Sequence, residues 1–176
     1  MTTVHDTKPK TTEPHPTKRE NAEHGFLAST SLTGDLQKVL VDLIELHLQG
    51  KQAHWNIVGK NFRDFHLQLD EIVAVAREFS DEVAERLRAL HATADGRTTT
   101  VASSTSLSPF PGGEVDTAAT IDLITDRIDA VVATARAVHD NVDEQDPTSA
   151  DLLHEIIGRL EQLSWMVSAE NRRPSN

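Results

Sequence analysis

The chain has 176 residues and a formal net charge of −11, and this length suits one domain or at most two small ones. Aromatic residues make up 4% of the chain and tyrosine is absent, which argues against an all-β sandwich or barrel. Cysteine is absent too, so disulfides, zinc fingers, thiolate-bound iron–sulfur clusters and cysteine nucleophiles are excluded. The acidic balance argues against a protein that covers DNA with its whole surface, and it suits cation binding.

The first 30 residues are polar and contain Pro9, Pro14 and Pro16. They cannot bury enough apolar surface to fold alone, so we expect residues 1–30 to be a flexible tail. One domain is then expected over residues 31–171, followed by a short C-terminal tail at 172–176. No stretch resembles the apolar core of a signal peptide or a membrane span of about 18 residues, and we expect a cytoplasmic protein.

Apolar residues recur at helical spacing in four long stretches that account for most of the expected domain. The predicted helices run from about Thr33 to Trp55, Lys60 to His91, Asp116 to Val142, and Ser149 to Glu170. A connection rich in Thr, Ser, Pro and Gly spans about residues 96–113 and contains a possible short helix near Ala102 to Leu107. No strand is predicted. The fold class is therefore all-α, a four-helix bundle of ferritin-like connectivity with one long crossover.

Two histidines and a carboxylate flank the short turn between the first two predicted helices. His54 lies near the end of the first helix and His66 about two turns into the second, so antiparallel helices place them at one level. Asp70 lies one turn beyond His66 on the same face. Nitrogen and oxygen ligands without thiolate suit iron, manganese or zinc, and open coordination positions would favour Fe(II) chemistry.

A second carboxylate pair, Asp81 and Glu85, follows on the same face of the second helix. Asp70 and Asp81 are separated by about 16 Å along the axis at the helical rise per residue, too far to share one metal within a chain. Packing of this helix against its own copy across a two-fold axis would bring Asp81 and Glu85 to the partner's histidines, which creates two composite sites by symmetry.

Any one of these five residues, taken alone, has an ordinary alternative role as a solvated charge or a packed histidine. Their combination in register is what indicates a site. Ferritins typically use a Glu-x-x-His motif on the bundle helices, and this motif occurs nowhere in the chain. An intrachain di-iron centre of that type is therefore unsupported.

Three stretches are informative through the identity of their residues as well as through their spacing. They are KQAHWNIVGKNF at residues 51–62, HLQLDE at 66–71 and DEVAER at 81–86. Together they resemble the Dps family of ferritin-like, DNA-protecting proteins from starved bacteria. The resemblance runs from about Leu32 to Asn171. It implies a hollow shell of twelve subunits that oxidises Fe(II), preferentially with hydrogen peroxide, and stores the ferric mineral.

The resemblance also implies roles for individual residues. His54, His66 and Asp70 match the iron ligands that one subunit supplies to a two-iron ferroxidase centre, and Asp81 and Glu85 match those from its partner. The neighbouring Trp55 matches the aromatic residue beside that centre, and every ligand position holds the expected residue type.

An acidic row lies near the start of the third predicted helix, at i, i+4 and i+7. It consists of Asp122, Asp126 and Asp129. Three copies of this row around a three-fold axis would raise the local cation concentration. The resemblance to the Dps family implies the same feature, since its members have acidic three-fold pores for iron entry. The alternative is a solvated face near a helix N-terminus.

DNA contacts are possible at the two ends of the chain. The basic residues of the first 20 are Lys8, Lys10, Lys18 and Arg19, and they exceed the three acidic residues there by one charge. Arg172 and Arg173 add a short basic end. Neither end is a lysine-rich arm, so any DNA binding is expected to be weak and independent of sequence.

Two other functions remain open at this point: a nucleoid-compacting protein with a vestigial metal site, and a bundle that binds another divalent metal without redox turnover. His91, His139 and His154 are isolated in the sequence, and we assign them no role.

Overall fold

The computed structural model describes residues 26–174, and its helices and strands begin at Thr30. In chain order they are α1 (Thr30–Asn56), β1 (Ile57–Val58), α2 (Phe62–Ala89), α3 (Thr98–Ser104), β2 (Val115–Asp116), α4 (Thr117–Gln145) and α5 (Pro147–Ala169). Four long helices and one short crossover helix confirm the predicted all-α bundle.

Two antiparallel helix pairs form the bundle. Helix α1 packs along α2 and α4 packs along α5, while contacts between α1 and α4 join the two pairs. The space between them is filled by aliphatic side chains with no solvent exposure, among them Leu36, Leu43, Ile72, Ile128 and Ile156. Burial of such side chains contributes about 1.5–3 kcal/mol each relative to exposure. Among the described residues, no helix combines the length and apolarity needed to cross a bilayer.

The turn from α1 to α2 contains the element that the sequence did not predict. Ile57 and Val58 pair in parallel with Val115 and Asp116, and two residues are too few to produce a strand pattern. Gly59 has a φ of 120°, and a Cβ there would lie 3.0 Å from the side chain of Asp116. This turn ties the start of α2 to the start of α4, and it sets the level at which α2 begins.

The crossover helix α3 begins four residues earlier than predicted. The Asp95 carboxylate accepts hydrogen bonds from the backbone N–H of Arg97 and the hydroxyl of Thr100, so it ties the residues before this helix to its first turn. The crossover also contributes three of the four hydrogen bonds that the buried Asp42 of α1 accepts: from the hydroxyl of Thr105 and from both the N–H and the hydroxyl of Ser106.

Candidate metal centre

Two histidines are in direct contact at the α1–α2 turn. His54 lies in the last turn of α1 and His66 near the start of α2. The Nδ1 atom of His54 lies 3.0 Å from the carbonyl oxygen of His66, and the Nδ1 atom of His66 lies 3.0 Å from the carbonyl oxygen of His54. Their rings stack with centroids 3.6 Å apart. The structure thus places both histidines at one level.

This reciprocal pairing determines which ring nitrogen of each histidine carries the proton. A carbonyl oxygen only accepts, so each Nδ1 must be an N–H donor, and the Nε2 of a neutral imidazole then has a free lone pair. Metal-binding histidines commonly have the other ring nitrogen held in this way. His54 is buried, and Phe62 lies against His66 with ring centroids 5.1 Å apart. Both rings are thus held in the form that can bind a metal through Nε2.

Asp70 lies beside this pair and is held by a lysine. Lys51 donates a hydrogen bond of 2.6 Å to Oδ1 of Asp70, and the Nδ1 atom of His54 lies 3.3 Å from the same oxygen. The hydrogen bond from Lys51, with smaller contributions from the charges of His54, Lys51 and His66, holds the pKa of Asp70 below its usual value against a small opposing effect of burial. Asp70 is therefore an anion with an ammonium group on one of its oxygens.

Asp81 and Glu85 do not join the histidines within one chain. In the part of the chain that the structure describes, no group of three or more His, Cys, Asp or Glu residues is arranged to hold a metal ion. Asp70 and Asp81 do, however, line the same open groove of about 790 Å³ along α1 and α2, together with His47 and Arg77. The same groove is thus lined by Asp70, which lies beside the histidines, and by Asp81, one member of the carboxylate pair.

The surroundings of this carboxylate pair are strongly acidic. Burial raises the pKa of Glu82, and the negative charges of Glu78, Glu155, Asp81 and Glu85 raise it further. Carboxylates crowded in this way repel one another, and a bound cation relieves that repulsion. This part of α2 and α5 is therefore favourable for a cation.

Two large apolar side chains beside the histidines, and one on α5, are open to solvent. Trp55 is 71% exposed and Phe62 is 43% exposed, and Trp165 on α5 is 62% exposed. Large exposed apolar patches typically mark an interface with another protein. Trp55, the aromatic residue assigned beside the centre, is thus positioned to be covered by another subunit.

The three aspartates of the predicted acidic row are all exposed on α4. Asp122 accepts a hydrogen bond of 2.8 Å from Asn171, and Asp129 accepts one of 2.5 Å from Ser164. Two members of the row therefore also bridge α4 to the end of the chain and to α5.

The basic residues assigned to DNA contact, Lys8, Lys10, Lys18 and Arg19, lie outside the described residues. Arg172 and Arg173 are described and exposed. Two residues beside the histidines, Lys51 and Phe62, were not predicted from the sequence to belong to the centre. Lys51 lies one turn before His54 on the same helix face, and this spacing is the signal that could have identified it.

Comparison with known proteins adds to this geometry. The sequence matches the ferritin-like domain family over residues 34–173. A relative from Deinococcus radiodurans, named DNA protection during starvation protein 2, is 35% identical over 134 residues, or 76% of this chain; the chain spans just over half, 56%, of that protein. A DNA protection during starvation protein from Agrobacterium fabrum is 32% identical over 84% of this chain and 92% of its own length.

A solved structure has the same fold at a similar level of identity. This is Dps from Microbacterium arborescens in its high iron form, with a TM-score of 0.76 and 34% identity over 83% of this chain and 98% of that one.

Proposed function

Because this chain belongs to the Dps family of ferritin-like proteins, we propose that it oxidises Fe(II) at two-iron centres shared between subunits and stores the ferric mineral in a hollow shell. One observation carries this proposal: the backbone carbonyls hold both Nδ1 atoms of the paired histidines, which leaves each Nε2 lone pair free for a metal, and the carboxylate of Asp70 lies beside the His54 ring. Imidazole and carboxylate ligands with open positions suit Fe(II) oxidation.

The groove along α1 and α2 supports the sharing of each centre between two subunits. It is open and is lined by both Asp70 and Asp81. A second copy placed antiparallel on this face would bring its own Asp81 and Glu85 to the histidines of the first. The proposed ligands are then His54, His66 and Asp70 from one subunit with Asp81 and Glu85 from its partner.

In the proposed reaction Fe(II) is the substrate. Each of two Fe(II) ions loses one electron, and one hydrogen peroxide molecule gains both electrons and two protons to give two water molecules. The peroxide is thereby removed without releasing a hydroxyl radical. The imidazole and carboxylate ligands stabilise the extra positive charge of the ferric product, and the acidic groups around Glu82 attract the incoming cations.

Lys51 has a defined place in this scheme. Its ammonium group compensates the charge of Asp70 while iron is absent. Fe(II) that binds Asp70 must displace or repel this group, so Lys51 weakens iron binding. Trp55, next to His54 in the chain, lies beside the centre once the partner subunit covers it.

The remaining parts of the proposal follow from the family. The subunits form a twelve-membered shell in the cytoplasm, in which Asp122, Asp126 and Asp129 guide iron inward and the basic N-terminal residues bind DNA weakly. Removing iron and peroxide, with or without this binding, protects nucleoid DNA from oxidation.

The test is an anaerobic Fe(II) titration followed by addition of hydrogen peroxide. We expect rapid ferric absorbance that saturates at about two irons per centre, and its loss in His66→Ala. The matched control is His91→Asn, which changes an exposed histidine at a φ of 63° to a residue that tolerates this conformation. Fe(II) binding without oxidation would indicate a non-redox metal protein, and no Fe(II) binding would indicate a vestigial site.

A further inference from the structure

A second histidine pair lies near the other end of the molecule, between α4 and α5. His139 lies seven residues before Asp146 and His154 eight residues after it, so both are two turns from the point where the chain reverses. Their Nε2 atoms are 2.7 Å apart and their ring centroids 4.6 Å apart. The interpretation of these two histidines as isolated was therefore wrong.

The protons on this pair can be assigned from its neighbours. The Nδ1 atom of His139 lies 3.0 Å from Oδ1 of Asp140, and a carboxylate only accepts, so this Nδ1 carries a hydrogen. The Nε2 of His139 is then a free lone pair that faces His154. His154 must donate its own Nε2 hydrogen to that lone pair, while its Nδ1 lies 3.8 Å from Asp151.

The surroundings of the pair leave it open and accessible. The two rings line a depression of about 320 Å³, with Arg136, Ile157 and Gly158 as further walls. A Cβ on Gly158 would have nothing within 4 Å, so space remains beside the rings. The guanidinium of Arg136 is paired with Glu161, so the carboxylate compensates the positive charge of this wall residue.

We propose that His139 and His154 form a binding site for a divalent late first-row metal ion such as zinc, separate from the iron centre. Two imidazole nitrogens on one tetrahedral zinc ion lie about 3.3 Å apart, so the present 2.7 Å separation needs only a small opening of the rings. Imidazole nitrogen favours zinc and copper over iron and magnesium in this position. Water molecules complete the coordination.

The two aspartates complete the proposed site from outside the coordination sphere. Asp140 already accepts from the Nδ1 of His139 and so keeps its Nε2 available for the metal. On zinc binding the hydrogen of His154 leaves Nε2 and, through solvent, a hydrogen occupies Nδ1, facing Asp151. Carboxylates placed behind metal-bound histidines in this way strengthen metal binding by about 10–100-fold.

The test is equilibrium dialysis of the assembled full-length protein against zinc, with bound metal counted per chain. The double variant His139→Ala/His154→Ala should lose one zinc per chain and keep its rate of peroxide-driven iron oxidation. The variant His54→Ala/His66→Ala should retain the zinc bound at His139 and His154, so a failure of the proposed iron chemistry leaves this result unaffected. His91→Asn is the matched control and should bind as much zinc as the parent protein.

Two further variants separate metal binding from structural support. Asp140→Asn should weaken zinc binding at this site by about tenfold or more without changing the thermal midpoint in metal-free buffer. His154→Gln, at a side chain that is 61% exposed, should fold normally and lose the same zinc. Unchanged zinc content in the double variant and in His154→Gln would overturn the proposal.

Discussion

The Nδ1 atoms of His54 and His66 each bond the other residue's carbonyl oxygen, at 3.0 Å in both directions. Each imidazole is therefore held by the backbone of the other helix, and each backbone segment is held by the other imidazole. Because His54 lies in the last turn of α1 and His66 in the second turn of α2, this pair also fastens the turn between the two helices. Loss of either ring should disturb the orientation of the one that remains.

The first prediction is complementation between two inactive variants. Shells made only of His66→Ala or only of Asp81→Ala should oxidise iron slowly, because every shared centre lacks one ligand. In a mixed dimer one centre combines the two intact halves and the other carries both defects. Random mixing at equal amounts should therefore restore about a quarter of the parent activity.

Ferric absorbance after peroxide addition measures this recovery, and mass spectrometry of intact dimers establishes that the subunits have mixed. We expect recovery because Asp70 and Asp81 are separated by about 16 Å along α2, so they cannot bind the same metal within one chain. Proven mixing without recovered activity would rule out centres shared between subunits.

The second prediction concerns Lys51. Lys51→Met removes both the hydrogen bond to Asp70 and a positive charge beside the centre, so Fe(II) should bind about two- to five-fold more tightly, as expected for an exposed ion pair. Lys38→Met, which removes a lysine paired with Asp35 on the same helix, is the control and should leave Fe(II) affinity unchanged. Anaerobic titration calorimetry measures both.

The protonation of Asp70 should change in the same variant. Lys51 is the main reason that the pKa of Asp70 lies below its usual value. A lowered pKa keeps Asp70 ionised as the pH falls below about 4, the usual value of an aspartate. In Lys51→Met this pKa should rise, so Asp70 of the metal-free protein should take up its proton at a higher pH, as followed by the NMR signal of its carboxyl carbon. An unchanged titration of Asp70 would contradict the role given to Lys51.

Most of the bundle could be predicted because helical periodicity is repeated over several turns in each long helix. The spacing of apolar residues around Leu36, Leu43 and Ile128 predicts which helix face is buried. In the structure all three side chains have no solvent exposure. Two short features, the strand pair and the start of α3, were not predicted, because they are too brief for any periodicity to repeat. The pair β1–β2 has only two residues in each strand. The start of α3 is held by hydrogen bonds that the Asp95 side chain accepts, and such contacts leave no periodic pattern in the sequence.

The site shows a similar division. His54, His66 and Asp70 could be placed together because one short turn fixes the level of two antiparallel helices. The hydrogen bond between Lys51 and Asp70 spans 19 positions, and the only local sign of it in the sequence is that Lys51 lies one turn before His54. His139 and His154 lie seven and eight residues from the break at Asp146, and this near-symmetry is informative only when the break is treated as a reversal of the chain.

The third prediction concerns the buried Asp42. Its carboxylate accepts hydrogen bonds from Thr105, Ser106 and Thr134 and is 2% exposed. Asp42→Ala leaves these donors without their acceptor, at a cost of about 2–3 kcal/mol for charge-assisted hydrogen bonds. The crossover should loosen first, so amide hydrogen exchange at residues 105–107 should become faster while α2 remains protected. Asp42→Asn, which keeps an acceptor oxygen, should show a smaller change.

The fourth prediction concerns iron uptake. Replacing Asp122, Asp126 and Asp129 with Asn should slow the uptake of Fe(II) into the shell at low salt, because attraction by three carboxylates per chain is lost. The difference should shrink at high salt, since screening acts over about 10 Å at 0.1 M. The matched control replaces the exposed Glu114, Asp143 and Glu144 with Gln, Asn and Gln, which removes the same charge elsewhere. Equal slowing in both triple variants would show that only net charge matters.

The last prediction concerns DNA, for which the family and the composition point in opposite directions. The net charge of −11 per chain opposes DNA binding, whereas many N-terminal tails presented by one shell can bind together although each contributes little. We therefore expect a gel shift of plasmid DNA at low salt that disappears near physiological salt, because the affinity depends on counterion release.

Deletion of residues 1–20, which removes Lys8, Lys10, Lys18 and Arg19, should abolish this shift and leave ferroxidase activity unchanged. Arg172→Ala/Arg173→Ala should weaken the shift only slightly, because these exposed residues add two charges at the other end of the chain. Comparison of the two variants shows which end of the chain contacts DNA. A shift that survives the deletion at moderate salt would place the contact elsewhere, and no shift at low salt would mean that the shell protects DNA by removing iron and peroxide alone.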